Sequence, residues 1–430
     1  MTVPFSQRYS AYALGIISLV SFFNYMDRML LAVLVEPIKA EFGFSDTQMG
    51  LLFGFAFAVF YAVMGVPLAR LADTKPRVVV LSIVMTVWSA ATALCGVAQN
   101  FVQLFLARVL VGAGEAGCLP ASYSLLGDYF SPKGRPVTMG VFQAGGALGV
   151  MVGIFIAGVV AEAFGWRWTF IILGIPGVLI ALIVCLTLRE PDRGVYDAGQ
   201  VALMRNFRTV CSRLFHRRTY LHLTIGFSLS LFILNGLINW IPAFLMRLHG
   251  MSLSEMSFWL AITFGLGNVL GMGLGGFAAR PLIERDPRWE LLFPALAYGI
   301  AVPLYLVAFL ISGAMISVGF MFVATFAAAL GMGPALAAVQ RVVEADMRAT
   351  AIAIITFCAS IFSIGFGSLL IGYLSDILAP AFLESSLGVA MSITLLFPAW
   401  SVVHYLLASK SMTHDDIMAG ASNDSSVIPI

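Results

Sequence analysis

The chain has 430 residues, 60% of them hydrophobic and only 11% charged, with a formal net charge of +2. Soluble domains carry about 25% charged residues, so this composition excludes a soluble globular protein. It indicates an integral membrane protein, built of helices because lipid offers no partner to unpaired backbone groups.

Apolar stretches long enough to cross a bilayer, about 20 residues each, fall at 9–35, 47–72, 77–98, 101–130, 137–161, 168–188, 220–245, 253–279, 290–312, 315–339, 350–377 and 387–408. They predict twelve transmembrane helices. The first holds Asn24-Tyr25-Met26-Asp27-Arg28. A carboxylate and a guanidinium at that depth cost several kcal/mol, roughly, unless they find partners or a wet cavity. The run is too long, and too charged at Asp27-Arg28, for a cleavable signal. The second segment ends at Asp73, with Lys75 and Arg77 in the turn beyond.

The fourth segment holds Arg108 and Glu115, joined by a glycine-rich stretch. Seven residues apart, the two share a helix face but stand about 10.5 Å apart along the axis. Each therefore needs a partner elsewhere. Asp27 and Arg28 are the other ionisable residues at that depth, so the simplest arrangement sets Arg108 toward Asp27 and Glu115 toward Arg28. Two readings stand for this quartet: a proton-carrying and substrate-binding site, or a fixed ion-pair clamp between two helices. The fifth segment carries Gly145, Gly149 and Gly153, a small-residue run suited to close helix contact in lipid. Asp128 and Arg135 flank the turn before it, and with Asp73 and Arg77 they form a candidate latch on one membrane face. Ordinary surface charge is the alternative.

The longest loop, 189–219, divides the chain. Leu203, Phe207, Val210 and Leu214 fall at helical spacing among Arg205, Arg208, Arg213, Arg217 and Arg218. They predict a basic amphipathic helix on the inner leaflet, with a plain solvated linker as the alternative. The domain reading is a six-helix bundle over 1–188, the linker 189–219, a second bundle over 220–409, and a tail over 410–430.

The halves resemble each other. Ser45 with Gln48, and Ser252 with Glu255, predict the same capping box at the second and eighth helices. Asn24-Tyr25-Met26 is echoed by Asn239-Trp240-Ile241, and Gly158…Glu162 by Gly372…Asp376. This is the pattern of duplicated six-helix units with a site at their interface. The second half holds no ionisable group near the membrane centre. It offers Asn235, Asn239, Asn268, Thr263, Thr356 and Ser360, which suits an amphipathic substrate better than a sugar. Nineteen of the 24 Lys and Arg residues fall on the side of the N-terminus, three opposite, and Arg28 and Arg108 in between. The bias places both termini in the cytoplasm. The five scattered cysteines form no CxxC spacing and read as packing residues, with neither disulfide nor metal.

Asn24-Tyr25-Met26-Asp27-Arg28, Gly50-Leu51-Leu52, Trp88-Ser89-Ala90-Ala91-Thr92, the segment from Arg108 to Ala116, and Arg189-Glu190-Pro191-Asp192-Arg193-Gly194 together resemble the major facilitator superfamily. Within it they look most like the spinster family. The resemblance implies a twelve-helix fold in two pseudo-symmetric bundles, alternating access, a cavity lined by helices 1, 4, 7 and 10, and a lipid-like substrate of the lysophospholipid or sphingoid type. It also implies functional roles for Asp27, Arg28, Arg108 and Glu115. The chain departs from the superfamily's loop motif at Ala69, Thr74 and Val78 while keeping Asp73 and Arg77.

The expectation is a proton-coupled transporter of an amphipathic lipid-like molecule in the cell (inner) membrane, monomeric, and not an enzyme. Neither cofactor, metal nor nucleic acid is called for. Asp27 and Glu115 would couple protons, Asp27 foremost. Arg28, Arg108, Asn24, Tyr25, Asn235, Asn239 and Trp240 would line the substrate site. A symporter of a small organic anion, and a scramblase or sensor without coupled transport, are the alternatives.

Overall fold

The computed structural model describes residues 5–195, 207–344 and 347–412, and every regular element in them is helical. The crossing helices of the first half are α1 (Gln7–Val33), α2 (Asp46–Thr74), α3 (Arg77–Cys95), α4 (Phe101–Tyr129), α5 (Arg135–Phe164) and α6 (Trp166–Thr187). Those of the second are α7 (Arg218–Leu237), α8 (Leu253–Ile283), α9 (Trp289–Leu310), α10 (Ala314–Val342), α11 (residues 348–382) and α12 (residues 386–411). Thr350–Ser411 is helical and apolar enough throughout to count as one span of 62 residues. As one rod it would measure roughly 93 Å, about three bilayer cores. It turns back at Leu383, the one non-glycine residue with positive φ (49°) among those described, so it supplies two crossings and the total is twelve.

Contacts divide the chain into two compact units. One comprises Met1–Gln200 with Asn239–Ala261, the other Val201–Ile238 with Ile262–Ile430. In the first unit α1 packs on α5, α2 on α4 and α3 on α6. In the second α7 packs on α11, α8 on α10 and α9 on α12, the same pairing six helices later. Each half has a break in its fourth crossing, at Ala116-Gly117 in α4 and at Gly331 in α10. In each half, too, an ion pair joins the start of the third crossing to the end of the fourth: Arg77 with Asp128, and Glu290 with Arg341 at 2.8 Å. Both pairs span 51 residues, with opposite polarity.

Local chemistry fixes the helix ends. At α2 the capping box forms in full, Ser45 and Gln48 each bonding the other's backbone. At α8 only half of the expected box forms. Ser252 accepts from the Glu255 amide, but the carboxylate serving this helix start is Glu162 of α5, which takes the Ser254 N–H at 2.7 Å. An anion at a helix N-terminus is favourable wherever in the chain it originates. The glycines of α5 face α1, where a methyl at Gly145, Gly149 or Gly153 would strike Ser18, Phe22 or Met26.

The linker helix exists, over Phe207–His216, and two residues of its apolar stripe turn toward the protein. Val210 and Leu214 are buried against the protein, beside α7 and α11. Arg213 and Arg217 pair with Glu344 at 3.9 and 3.2 Å. Leu203 and Arg205 lie outside the described residues, as do the side chains of Phe207 and Arg208.

Candidate functional site

Successive helical residues point about 100° apart, so Asp27 and Arg28 of α1 meet different neighbours. Asp27, 1% exposed, accepts a hydrogen bond from Thr92 Oγ1 of α3 at 3.2 Å. Arg28 Nε donates to Glu115 Oε2 of α4 at 2.6 Å, and its Nη2 to Asn24 Oδ1 at 3.3 Å. The Arg28 guanidinium also lies 5.0 Å from the ring centre of Tyr25, 5.2 Å from Phe57 and 4.9 Å from Tyr61. Each such contact contributes about 0.5–2 kcal/mol, more as water is excluded.

The expected crossing of charges is therefore half right. Arg28 and Glu115 pair, whereas Arg108 and Asp27 make no ion pair within 4 Å. Backbone proximity explains this. Gly112 brings α4 against the Phe57 backbone and Gly114 brings it against Trp88. Arg108, 1% exposed, then lies over the Phe57 ring at 5.5 Å, and Thr92 reaches Asp27 instead. Asp27 Oδ1, Glu115 Oε1, Arg108 Nε and Nη1, Asn24 Nδ2 and Trp88 Nε1 have no hydrogen-bond partner among the described residues. Buried polar groups are satisfied in the great majority of cases, so this concentration of unpartnered atoms sets the quartet apart. Asp27 stands outside any ion pair, whereas Glu115 is held in one.

Of the expected latch residues, Arg77 and Asp128 are bound to each other inside the first unit. Arg77 is 1% exposed and also bonds Glu190 Oε1 at 2.7 Å, Ser124 O at 3.3 Å and Oγ at 3.0 Å, and Pro191 O at 2.7 Å. Glu190 Oε2 accepts the Val78 N–H at 2.8 Å, and Asp128 Oδ1 accepts that of Gly194 at 3.1 Å. Arg193 donates to the Ala72 and Lys75 carbonyls, both at 2.7 Å. Arg135 donates to the Gly127 carbonyl. The Arg189–Gly194 segment thus staples the ends of α3 and α4, a use of Arg77 that the loop spacing alone did not reveal. Asp73 is exposed and makes no ion pair among the described residues.

The remaining expected residues divide between the units. Asn235 donates to Ser363 Oγ at 3.2 Å within the second. Asn239 and Trp240 belong to the first, both buried, with Trp240 edge-on to Phe53 at 5.0 Å. Nothing in the sequence assigns Phe57, Tyr61 or Thr92 to the site, although Phe57 and Tyr61 stand four apart and Thr92 closes the quoted Trp-Ser-Ala-Ala-Thr run. Arg247, one of the three basic residues on the sparsely charged side, carries no site role in the sequence reading. It donates to Glu36 Oε1 at 2.6 and 2.8 Å and to both Asp46 oxygens at 2.7 Å, and Lys39 also pairs with Asp46. Among the described residues no group of three His, Cys, Asp or Glu is placed to hold a metal.

The family model described as Major Facilitator Superfamily matches residues 17–367. The chain is 34% identical over 410 residues, 94% of each protein, to an MFS-type efflux pump of Mycolicibacterium smegmatis. It is 28% identical to the hexuronate transporter of Bacillus subtilis, over 63% of this chain and 64% of that one. Among solved structures, a bacterial homologue of the human lysosomal transporter spinster, inward-facing and unoccupied, superposes with a TM-score of 0.87 at 29% identity, covering 95% of this chain and 98% of the other.

Proposed function

The chain belongs to the major facilitator superfamily, and from that premise we propose that it is a proton-coupled transporter of an amphipathic, lipid-like molecule, working by alternating access. The observation that carries this reading is the unequal partnering of the two buried carboxylates. Glu115 is locked to Arg28, while Asp27 is held by one hydroxyl. With both carboxylates ionised the quartet is neutral. When Asp27 takes up a proton, one positive charge is in excess and Arg108, with two unpartnered N–H groups, becomes an anion-binding guanidinium. Protonation and binding of an anionic headgroup then favour each other, which is the condition for symport. Tyr25, Phe57 and Tyr61 offer apolar faces beside the charge, as an amphipathic substrate requires.

The spinster-like structure supports the lipid-like substrate. A second reading, a small organic anion, is favoured by the two buried guanidiniums and by the hexuronate-transporting relative. Both readings place the protein in the cell (inner) membrane as a monomer with its termini in the cytoplasm, following the bias in basic residues. Asp73, exposed at the inner face, is the remaining candidate for an inner latch. Purified protein is screened for thermal stabilisation by lysophospholipids and by hexuronates, and the binder is then followed in proteoliposomes under a pH gradient. Stabilisation by lysolipid, with uptake that responds to the gradient in the parent and not in Asp27→Asn, is expected. Stabilisation by hexuronate alone overturns the lipid assignment, and a gradient response in Asp27→Asn equal to that of the parent overturns Asp27 as the coupling group.

A further inference from the structure

Only Arg217 separates the linker helix, Phe207–His216, from the start of α7 at Arg218. At about 100° per residue, Ser212, Arg213 and His216 share one arc of that helix, beside the stripe that Val210 and Leu214 bury. Together with Arg217 and Glu344 they line a cleft of about 360 Å³. All five residues belong to the second unit. Arg217 bonds Glu344 at 3.2 Å and the Val342 carbonyl, at the end of α10, at 2.6 Å. Arg213, its side chain 52% exposed, stands 3.9 Å from the same carboxylate, beyond hydrogen-bonding distance. Two guanidiniums against one carboxylate leave the lining with one positive charge in excess. His216 adds to it. Its Nδ1 lies 2.6 Å from the Ser212 carbonyl, which only accepts, so that nitrogen bears a hydrogen and Nε2 is the atom that gains a proton beside an anion. Exposed apolar side chains stand next to the cleft in the chain, Phe215 on the linker helix and Leu221 one turn into α7.

We propose that this cleft binds an anionic phospholipid, its phosphodiester held between Arg213, His216 and Arg217 and its acyl chains running along Phe215 and the exposed side of α7. Cations gathered where a membrane crossing begins, with apolar side chains alongside, match the phosphate layer of a leaflet and the hydrocarbon beneath it. The single negative charge of a phosphodiester balances the excess on the lining, whereas a zwitterionic headgroup brings no net charge to it. Glu344 is the internal competitor. It holds both guanidiniums when no lipid is present, and Arg213, the more distant and more exposed of the two, is the one that turns to the headgroup. The site lies outside the Asp27–Glu115 quartet. It requires only that α7 crosses the membrane, and it is independent of the transported substrate and of proton coupling.

The test is native mass spectrometry of the delipidated full-length protein, titrated with phosphatidylglycerol or with phosphatidylcholine of the same acyl chains. The parent should bind phosphatidylglycerol more tightly. Each basic side chain at a membrane surface is worth about fivefold in affinity, so Arg213→Gln should weaken phosphatidylglycerol about fivefold and leave phosphatidylcholine as in the parent. His216→Gln should weaken it further when combined with Arg213→Gln. Glu344→Gln removes the competitor and should tighten phosphatidylglycerol binding, which a purely structural ion pair does not predict. Equal affinity for the two lipids, or an Arg213→Gln variant that binds phosphatidylglycerol as the parent does, overturns the site. So does weaker binding in a Glu344→Gln variant that melts as the parent does. Complete displacement of phosphatidylglycerol by inorganic phosphate in millimolar excess assigns the cleft to a soluble anion and overturns the lipid.

Discussion

Neutralising the two buried carboxylates one at a time separates their roles in stability. In Glu115→Gln the Arg28 guanidinium keeps its ring contacts but loses the countercharge at 2.6 Å. Removing one partner of a buried pair costs about 3–5 kcal/mol. Because the Arg28 side chain is 16% exposed, the low end of that range, about 3 kcal/mol, applies. Asp27→Asn keeps an oxygen for the Thr92 hydroxyl and strands no cation, so the loss is that of one hydrogen bond at most, about 1 kcal/mol. The gap of about 2 kcal/mol corresponds to roughly thirtyfold in the folding equilibrium. For a unit of about 200 residues each kcal/mol shifts Tm by about 2–4 °C. Unfolding in detergent, followed by tryptophan fluorescence, should then show Glu115→Gln melting about 6–12 °C below the parent and Asp27→Asn within about 4 °C of it. Equal losses would refute the argument, because they would mean that Asp27 is held by a cation after all.

Three further outcomes follow from the geometry. Arg77→Met strands Asp128 and Glu190 and should cost about 3–5 kcal/mol, whereas Asp73→Ala, at an exposed unpaired acid, should stay within about 0.5 kcal/mol of the parent in the same melt. Gly149→Leu has to displace the Phe22 backbone and should leave no monodisperse protein on size exclusion, while Gly140→Ala, which meets nothing within 4 Å, should purify normally. Glu290→Arg or Arg341→Glu alone should lower Tm through like-charge contact, and the double swap should recover most of the loss. If the double variant melts no higher than the singles, the pair contributes nothing of its own.

The crossings, the duplication and the membership of the charged quartet were legible in the sequence because hydropathy and the cost of intramembrane charge leave few alternatives. The pairing inside the quartet was only half legible. Arg28–Glu115 followed from elimination. The partner of Asp27 depended on how closely α4 approaches α2 and α3 at Gly112 and Gly114, a distance that no spacing encodes. The half-formed cap at α8 failed for a similar reason, since the carboxylate came from Glu162, 92 residues away from the amide it accepts. Arg247 looked like one of three stray charges on the sparsely charged face. Its meaning lay in Glu36 and Asp46, 211 and 201 residues distant.

The opposite polarity of the two 51-residue ion pairs bears on how such a chain avoids assembling wrongly. Two similar six-helix halves emerge from the ribosome in succession, and similar halves invite exchange of equivalent helices between repeats or between neighbouring copies. An α3 that paired by mistake with α10 would set Arg77 against Arg341, and an α9 that paired with α4 would set Glu290 against Asp128. Every wrong combination brings like charges together where every right one brings opposite charges, at largely buried helix ends. A duplicated gene whose copies diverged by reversing this one pair would thereby have given each half a means of recognising its own helices. Making the polarity uniform, by exchanging Glu290 and Arg341, should preserve the native fold while raising the yield of misassembled chains during synthesis.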